Sequence, residues 1–284
     1  MSQDPQALAE FRAETDRRGR FVRQESRFRG AVTADGSSGF RAAPGRYHLY
    51  VSRACPWAHR TIIVRRLKGL EDVVSLSVVD PVRDERGWAF TEGPGHGPDT
   101  LNGFAFLAEA YRSSDPDFAG RVTVPVLWDR VTRQIVSNES ADIIRMLNAE
   151  FDAWGDAAVD LYPPDLREEI DRVNDVVYRT VNNGVYRAGF ATTQEAYEEA
   201  FALLFATLDD LDRRLASQRY LAGERLTEAD WRLFTTLVRF DAVYALHFKC
   251  NLRRIVDYPS LWPYLPEPYQ VPGSPVTVSF APIK

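Results

Sequence analysis

An α/β domain followed by an all-helical domain is expected from three features of this 284-residue chain. Two runs rich in β-branched and aromatic residues, 47–51 and 73–79, flank an apolar-periodic stretch at 57–68, which is the pattern of a strand–helix–strand unit. At the first strand-to-helix junction stands Cys55-Pro56. Beyond about residue 155 the strand-like runs cease, and apolar residues recur at helical spacing instead.

The first strand runs from Tyr47 to Val51, and the helix opens after Pro56, whose missing N–H costs nothing at the first helical position. The second strand follows at 73–79. Residues 80–120 contain Gly93-Pro94-Gly95-His96-Gly97-Pro98, a cluster of turn formers in a weakly periodic stretch. A connection of that length is expected to be functional or to carry short helices, one of them at 105–111. Strand signals return at 122–128 and 134–136, and a helix is expected at 140–148. The order β-α-β, insertion, β-β-α is that of a thioredoxin-like domain with a cysteine at the start of its first helix. Further on, Leu166, Ile170, Val173 and Val177 share one helical face, and Phe201, Leu204, Phe205, Leu208, Leu211 and Leu215 share another. Thr227-Glu228-Ala229-Asp230 reads as a capping box with Asp in place of Glu at the third helical position. The expected boundaries are an N-terminal extension over 1–40, a thioredoxin-like domain over 41–155 and an all-α domain over 156–284, with the linker near 154–164.

Three places in the first half carry chemistry. Unpartnered backbone N–H groups and the helix dipole favour negative charge at a helix N-terminus, so Cys55 is the expected thiolate nucleophile. His59 and Arg60, one turn on, add positive potential, although a helix-face histidine is more often just hydrogen-bonded. The residue three after Cys55 is Ala58. No resolving cysteine is present there, so redox work requires an external thiol. Pro125 cannot donate within a central strand and marks an edge or a break. It either begins an edge strand or, in a thioredoxin-like fold, is a cis proline that leaves the backbone of Val124 to pair with an extended peptide. In Ser137-Asn138-Glu139-Ser140, Ser140 offers a hydroxyl and a helix-terminal N–H to a carboxylate, and Glu139 accepts from an ammonium group. A plain N-cap by Ser137 or Asn138 accounts for the same turn. With Cys55, Pro125 and Glu139-Ser140 in this order, the three places fit glutathione, with its sulfur at Cys55, its cysteinyl backbone at Val124 and its γ-glutamyl end at Glu139 and Ser140.

Composition narrows the class. A formal net charge of −5 without a basic tract argues against a nucleic-acid partner. Arg60, Arg65, Arg66 and Lys68 on one helix read as a solvated face or a local field near Cys55. Two cysteines cannot form a disulfide framework, which suits a reducing compartment. The first twenty residues are polar and show no signal-peptide core, and no run approaches membrane-spanning length. No cluster of ligand spacing appears, so no metal is expected. These readings predict a soluble, cytoplasmic protein.

The chain resembles the glutathione transferases, and within them the Xi class, the glutathionyl-hydroquinone reductases. The resemblance is carried by Ala54-Cys55-Pro56-Trp57-Ala58-His59-Arg60-Thr61, by Gly87-Trp88-Ala89-Phe90, and by the segments 46–52, 122–128, 136–145 and 226–240. It is carried further by Asn182-Asn183-Gly184-Val185-Tyr186-Arg187-Ala188-Gly189-Phe190 and by His247-Phe248-Lys249-Cys250-Asn251-Leu252. It extends from about residue 20 to the end. It implies a glutathione transferase fold, glutathione as cosubstrate, glutathionylated aromatic substrates and a homodimer. It also implies Cys55 as nucleophile, Trp88 beside the glutathione, Val124 and Pro125 at its backbone, Glu139 and Ser140 at its γ-glutamyl end, and Tyr186 facing the hydroquinone.

Taken without the family, Tyr186 reads as ordinary helix packing, Trp88 as a core anchor or a ligand wall, and Cys250 as a buried core thiol. The family pattern continues past the equivalent of Lys284 with an aromatic- and histidine-rich tail holding paired tyrosines. The expectation is therefore that Tyr186 stands alone here and that hydroquinone turnover is the more exposed function. Two rivals stay open. One is another cysteine-type glutathione enzyme acting on dehydroascorbate or mixed disulfides, and the other is a catalytically silent interaction module of the same fold.

Overall fold

The computed structural model describes residues 14–283. They fall into two units, one formed by residues 24–159 and the other by residues 160–283 together with 14–23.

The first unit opens with a short parallel pair, β1 (Val32–Thr33) and β2 (Phe40–Arg41). Next come β3 (Tyr47–Val51), α1 (Pro56–Leu67), β4 (Val74–Val78), α2 (Ala108–Ser114), β5 (Val126–Asp129), β6 (Gln134–Ser137) and α3 (Ser140–Ala149). The four-stranded sheet has the order β4-β3-β5-β6. Strand β3 runs parallel to β4, with Tyr47 opposite Val74, and antiparallel to β5, with Tyr50 opposite Val126. All five residues of β3 are buried, as befits a central strand without a solvent face. Two of its polar side chains reach partners in the interior: Tyr47 OH donates to Arg41 O (2.8 Å), and His48 Nδ1 lies 2.7 Å from Ser75 Oγ. Burial keeps His48 neutral, with its pKa pushed down to about 4.

The connection between β4 and α2 is organised by Asp99. Its carboxylate accepts from the N–H groups of Leu101 and Asn102 (both 3.1 Å) and Phe104 (3.2 Å), and from Tyr50 OH at 3.3 Å. Two backbone bonds then close the loop, Phe90 N to Ala105 O and Leu107 N to Trp88 O, both 2.9 Å. They tie Ala105 and Leu107 to the segment 88–90, so the expected helix at 105–111 begins only at Ala108. Glu109 Oε1 accepts from Ala105 N (2.8 Å) and Phe106 N (2.9 Å), capping that start from within.

The strand expected at 122–128 is also shorter, beginning at Val126. Thr123 is engaged by a side chain instead of the sheet: Tyr111 OH donates to Thr123 O (2.8 Å) and accepts from Thr123 N (3.2 Å). The Val124-Pro125 peptide is cis. Because β5 lies between β3 and β6, a residue without an N–H is accommodated just before the strand and not within it.

In the second unit the helices are α4 (Arg167–Val177), α5 (Gly184–Gly189), α6 (Gln194–Leu215) and α7 (Glu228–Arg239), followed by short turns. Ile170, Val173, Leu204, Phe205, Leu208, Leu233 and Phe240 form its core, with Leu166, Phe201 and Leu215 packed at the margin. The capping box at α7 is present. Asp230 Oδ2 accepts from Thr227 N (2.8 Å), while Oδ1 accepts from Leu221 N (2.9 Å) and Tyr264 OH (3.0 Å). Residues 14–23 attach to the start of α6, where Thr192 N donates to Gly19 O (2.9 Å). Gly19 has φ +79°, and a Cβ there would come within 2.6 Å of Thr193 Cγ2, so this position needs glycine.

Two π-helical turns interrupt the helices, Tyr178–Asn182 before α5 and Phe240–Tyr244 after α7. Apolar periodicity alone does not reveal such insertions, which are frequent near functional sites. Cys250 is buried, and burial pushes its thiol up to about 12, in keeping with an inert core thiol.

Candidate active site

In the first unit, Cys55 occupies the N-cap position of α1, and Pro56 begins the helix. Pro56 forgoes one of the N–H groups that a helix start leaves unpaired and supplies a φ already suited to the turn. The Cys55 side chain is half-buried, and its Sγ lies 3.5 Å from Val124 O. The sulfur and the backbone just before the cis proline are therefore neighbours.

Glu139 and Ser140 stand where β6 gives way to α3. Glu139 is itself the N-cap of α3, its Oε1 accepting from Ala141 N at 3.1 Å. Of the alternatives in the sequence, Ser137 takes the adjacent place, with its Oγ accepting from Glu139 N at 3.1 Å. Ser140 is buried, and the buried Arg60 guanidinium reaches its hydroxyl, with Nη1 to Oγ at 3.4 Å. Arg60 lies one turn along α1 from Cys55, and its Cζ is 4.5 Å from the Trp57 ring centroid. One cation thus links the helix that carries the sulfur to the helix start that carries the acid–hydroxyl pair. His59 is buried.

Two side chains that the sequence reasoning did not single out, Ser26 and Tyr111, hold these parts in register together with Asn138, which it considered only as an N-cap. Ser26 Oγ donates to Glu139 Oε2 at 3.0 Å. Asn138 Nδ2 donates to Tyr111 OH at 3.1 Å and to Thr123 Oγ1 at 3.3 Å, while Asn138 Oδ1 accepts from Phe28 N at 3.1 Å. Tyr111 is fully buried and burial raises its pKa, so it serves as a neutral donor and acceptor. The Val124 loop and the Glu139 turn are therefore fastened to one phenol. The Asn in Ser137-Asn138-Glu139-Ser140 was the available hint, but its long-range partners leave no trace in local spacing.

Trp88 lies in the long connection and is 8% exposed, with the Arg83 Cζ 5.0 Å from its ring centroid. Its indole Nε1 is buried and makes no hydrogen bond. Among the described residues no group of side chains is arranged to hold a metal, and no helix is long and apolar enough to cross a membrane.

Tyr186 belongs to the second unit, on α5. It sits in an aromatic cluster, with ring centroids 5.4 Å from Phe248, 6.0 Å from Phe190 and 6.1 Å from Tyr244. Arg23 Cζ lies 4.7 Å from its ring centroid. The cluster depends on a glycine: a Cβ at Gly189 would approach Phe248 Cγ to 2.4 Å and Cβ to 2.8 Å. Those atoms are close to the backbone and cannot swing aside. Gly189→Ala is expected to cost about 1–3 kcal/mol, the usual scale of overpacking. Gly184→Ala on the same helix, whose new Cβ would meet Leu204 no closer than 3.8 Å, is expected to cost nothing. Urea unfolding of both variants checks this, and equal stabilities would remove the packing argument.

Residues 54–150 match the family model for the glutathione S-transferase N-terminal domain, and residues 194–265 match that for the C-terminal domain. The chain is 58% identical over 243 residues to glutathionyl-hydroquinone reductase PcpF of Sphingobium chlorophenolicum, covering 86% of this chain and 76% of the relative. The glutathione-bound structure of YqjG, a glutathione transferase homolog from Escherichia coli K-12, is 56% identical with a TM-score of 0.88, covering 90% of this chain and 86% of that one. The glutathione-S-transferase Xi from Phanerochaete chrysosporium is 50% identical with a TM-score of 0.92, covering 95% and 88%. With both domain models matched in order and the cysteine at its helix start, the chain belongs to the glutathione transferases, in their Xi class, the glutathionyl-hydroquinone reductases.

Proposed function

We propose that the protein reduces S-glutathionyl-hydroquinones to hydroquinones, with glutathione as cosubstrate and Cys55 as nucleophile. The Cys55 thiolate attacks the glutathione sulfur of the substrate. A sulfur–sulfur bond forms, the sulfur–aryl bond breaks, and the electron pair of that bond leaves with the aromatic carbon, which takes up a proton to give the hydroquinone. A second glutathione, as its thiolate, attacks the Cys55–glutathione disulfide, releasing oxidised glutathione and restoring the Cys55 thiolate. The proton that this glutathione sheds balances the one consumed by the aromatic carbon. Tyr186 assists the first step by hydrogen bonding to the ring oxygen or relaying a proton.

The observation that carries this reading is the placement of the Cys55 sulfur 3.5 Å from Val124 O. A peptide held by the Val124 backbone, with its γ-glutamyl charges met by Glu139 and Ser140 and its flank covered by Trp88, presents its sulfur to Cys55. The names of the relatives, glutathionyl-hydroquinone reductase among them, support the same chemistry. Mass spectrometry after incubation with a glutathionyl-hydroquinone tests it. Release of hydroquinone together with a glutathione adduct on Cys55 is expected, and release without any adduct would overturn the mechanism.

Glu139→Ala is expected to weaken glutathione binding by about 1.5–3 kcal/mol, the scale of one charge-assisted hydrogen bond. Titration calorimetry showing wild-type affinity in a folded variant would mean that Glu139 only caps α3. The assignment extends to a homodimer, on the family resemblance, and to the cytoplasm, where the two unpaired cysteines stay reduced. Light scattering that gives a monomer mass at micromolar concentration would sink the first of these, and localisation outside the cytoplasm the second.

A further inference from the structure

We infer that Arg23 is a positioning residue for the Tyr186 phenol, fixing its ring and stabilising the negative charge that builds on it when it gives up its proton. The inference rests on the role of Tyr186 proposed above and adds a residue to it. Arg23 lies on the segment 14–23, which belongs to the same unit as α5. Its Nε donates to Asn183 Oδ1 at 2.8 Å, while its Cζ stands 4.7 Å from the Tyr186 ring centroid and 5.4 Å from that of Phe21.

Asn183 is three residues before Tyr186, at the N-cap of α5, and residues at that spacing share a helix face. The hydrogen bond therefore ties the cation to the same turn that carries the tyrosine, and the guanidinium and the ring move as one. Phe248 closes on the ring at 5.4 Å in an edge-on arrangement. A guanidinium over an aromatic face is attracted by the electron density of the ring. That attraction grows as the hydroxyl yields its proton, because the phenolate returns charge to the ring. The interaction is thus stronger in the transition state than in the ground state, which is the condition for it to raise kcat.

The test compares Arg23→Gln, which removes the charge, with Arg23→Lys, which keeps it. With a glutathionyl-hydroquinone, Arg23→Gln is expected to lower kcat about three- to tenfold, the scale of one partly desolvated cation over an aromatic ring, with KM little changed and Arg23→Lys closer to wild type. The second half-reaction, glutathione attacking a preformed Cys55–glutathione disulfide, has no aromatic leaving group and is expected to keep its rate. In a Tyr186→Phe background, Arg23→Gln is expected to cost no more than about twofold further. Equal slowing of both half-reactions, or the same loss in the Tyr186→Phe background, would show that Arg23 only supports the fold and would overturn the inference. So would an Arg23→Gln enzyme with wild-type kcat while Tyr186→Phe is slow. If Tyr186→Phe is itself as fast as wild type, the role proposed for Tyr186 fails first and takes this inference with it. Melting temperatures of all variants identify any that do not fold, and Arg23→Lys then carries the comparison.

Discussion

Cys55→Ser is expected to remove turnover of a glutathionyl-hydroquinone by at least about 10³-fold while leaving the fold intact, the scale of losing a catalytic nucleophile. Serine fits the place. The Cys55 side chain is half-buried at a helix N-cap, where a hydroxyl is among the best tolerated groups. The melting temperature should therefore stay at the wild-type value or rise slightly. What changes is the nucleophile. A serine hydroxyl at this terminus remains protonated at neutral pH, and an alkoxide is not available to attack the glutathione sulfur. Cys250 cannot substitute, because it is buried and its thiol is pushed up to about 12. Steady-state release of hydroquinone, with mass spectrometry to confirm the absence of a glutathione adduct, measures the effect. A Cys55→Ser enzyme with undiminished reductase activity would sink the proposed mechanism.

How far the sequence alone reached depended on how local each feature is. The run 47–51 is a strand with the expected ends, because five consecutive residues of high strand preference need no distant partner to be recognised. Cys55-Pro56 at the start of α1 was readable for the same reason: proline restricts its own φ and announces the helix by itself. The stretch 122–125 has strand composition too, yet Tyr111 OH claims the backbone of Thr123 from another element, and local preference yields to that long-range bond. The helix expected at 105–111 shifts to Ala108–Ser114 because Ala105 and Leu107 are paired with Phe90 and Trp88.

The site divides along the same line. Cys55, Glu139 and Ser140 are adjacent to signals of helix initiation and could be picked out from residue type and position. Ser26, Tyr111 and Asn138 hold those parts from residues that lie far from them along the chain or, for Asn138, act through distant partners, and nothing in their neighbours announces it. Tyr186 was legible only through the family motif, and its company of Arg23, Tyr244 and Phe248 comes from two segments far from it along the chain. The π-helical turn at Tyr178–Asn182 sets which face of α5 carries it, a phase shift that a regular 3.6-residue period misses.

Tyr186→Phe is expected to lower turnover of a glutathionyl-hydroquinone about 100-fold, the low end of what general acid assistance contributes. The substitution keeps the ring, and with it the contacts to Phe248, Phe190 and Tyr244 and the cation of Arg23 above its face. Only the hydroxyl is lost, so stability should change by less than about 1 kcal/mol, the value of one net hydrogen bond. The chemistry suffers more because the leaving group is an aromatic carbon. The electron pair that departs from sulfur must be met by a proton, and a phenol beside the ring oxygen eases that transfer. A simple mixed disulfide makes no such demand, since a thiolate leaves without protonation, and its reduction should barely slow. The ratio of the two activities is therefore the decisive measurement. A loss confined to the glutathionyl-hydroquinone assigns the hydroxyl to the departing ring, whereas equal slowing of both substrates would make Tyr186 a structural support of the aromatic cluster. Unchanged rates on both would remove Tyr186 from the substrate side altogether.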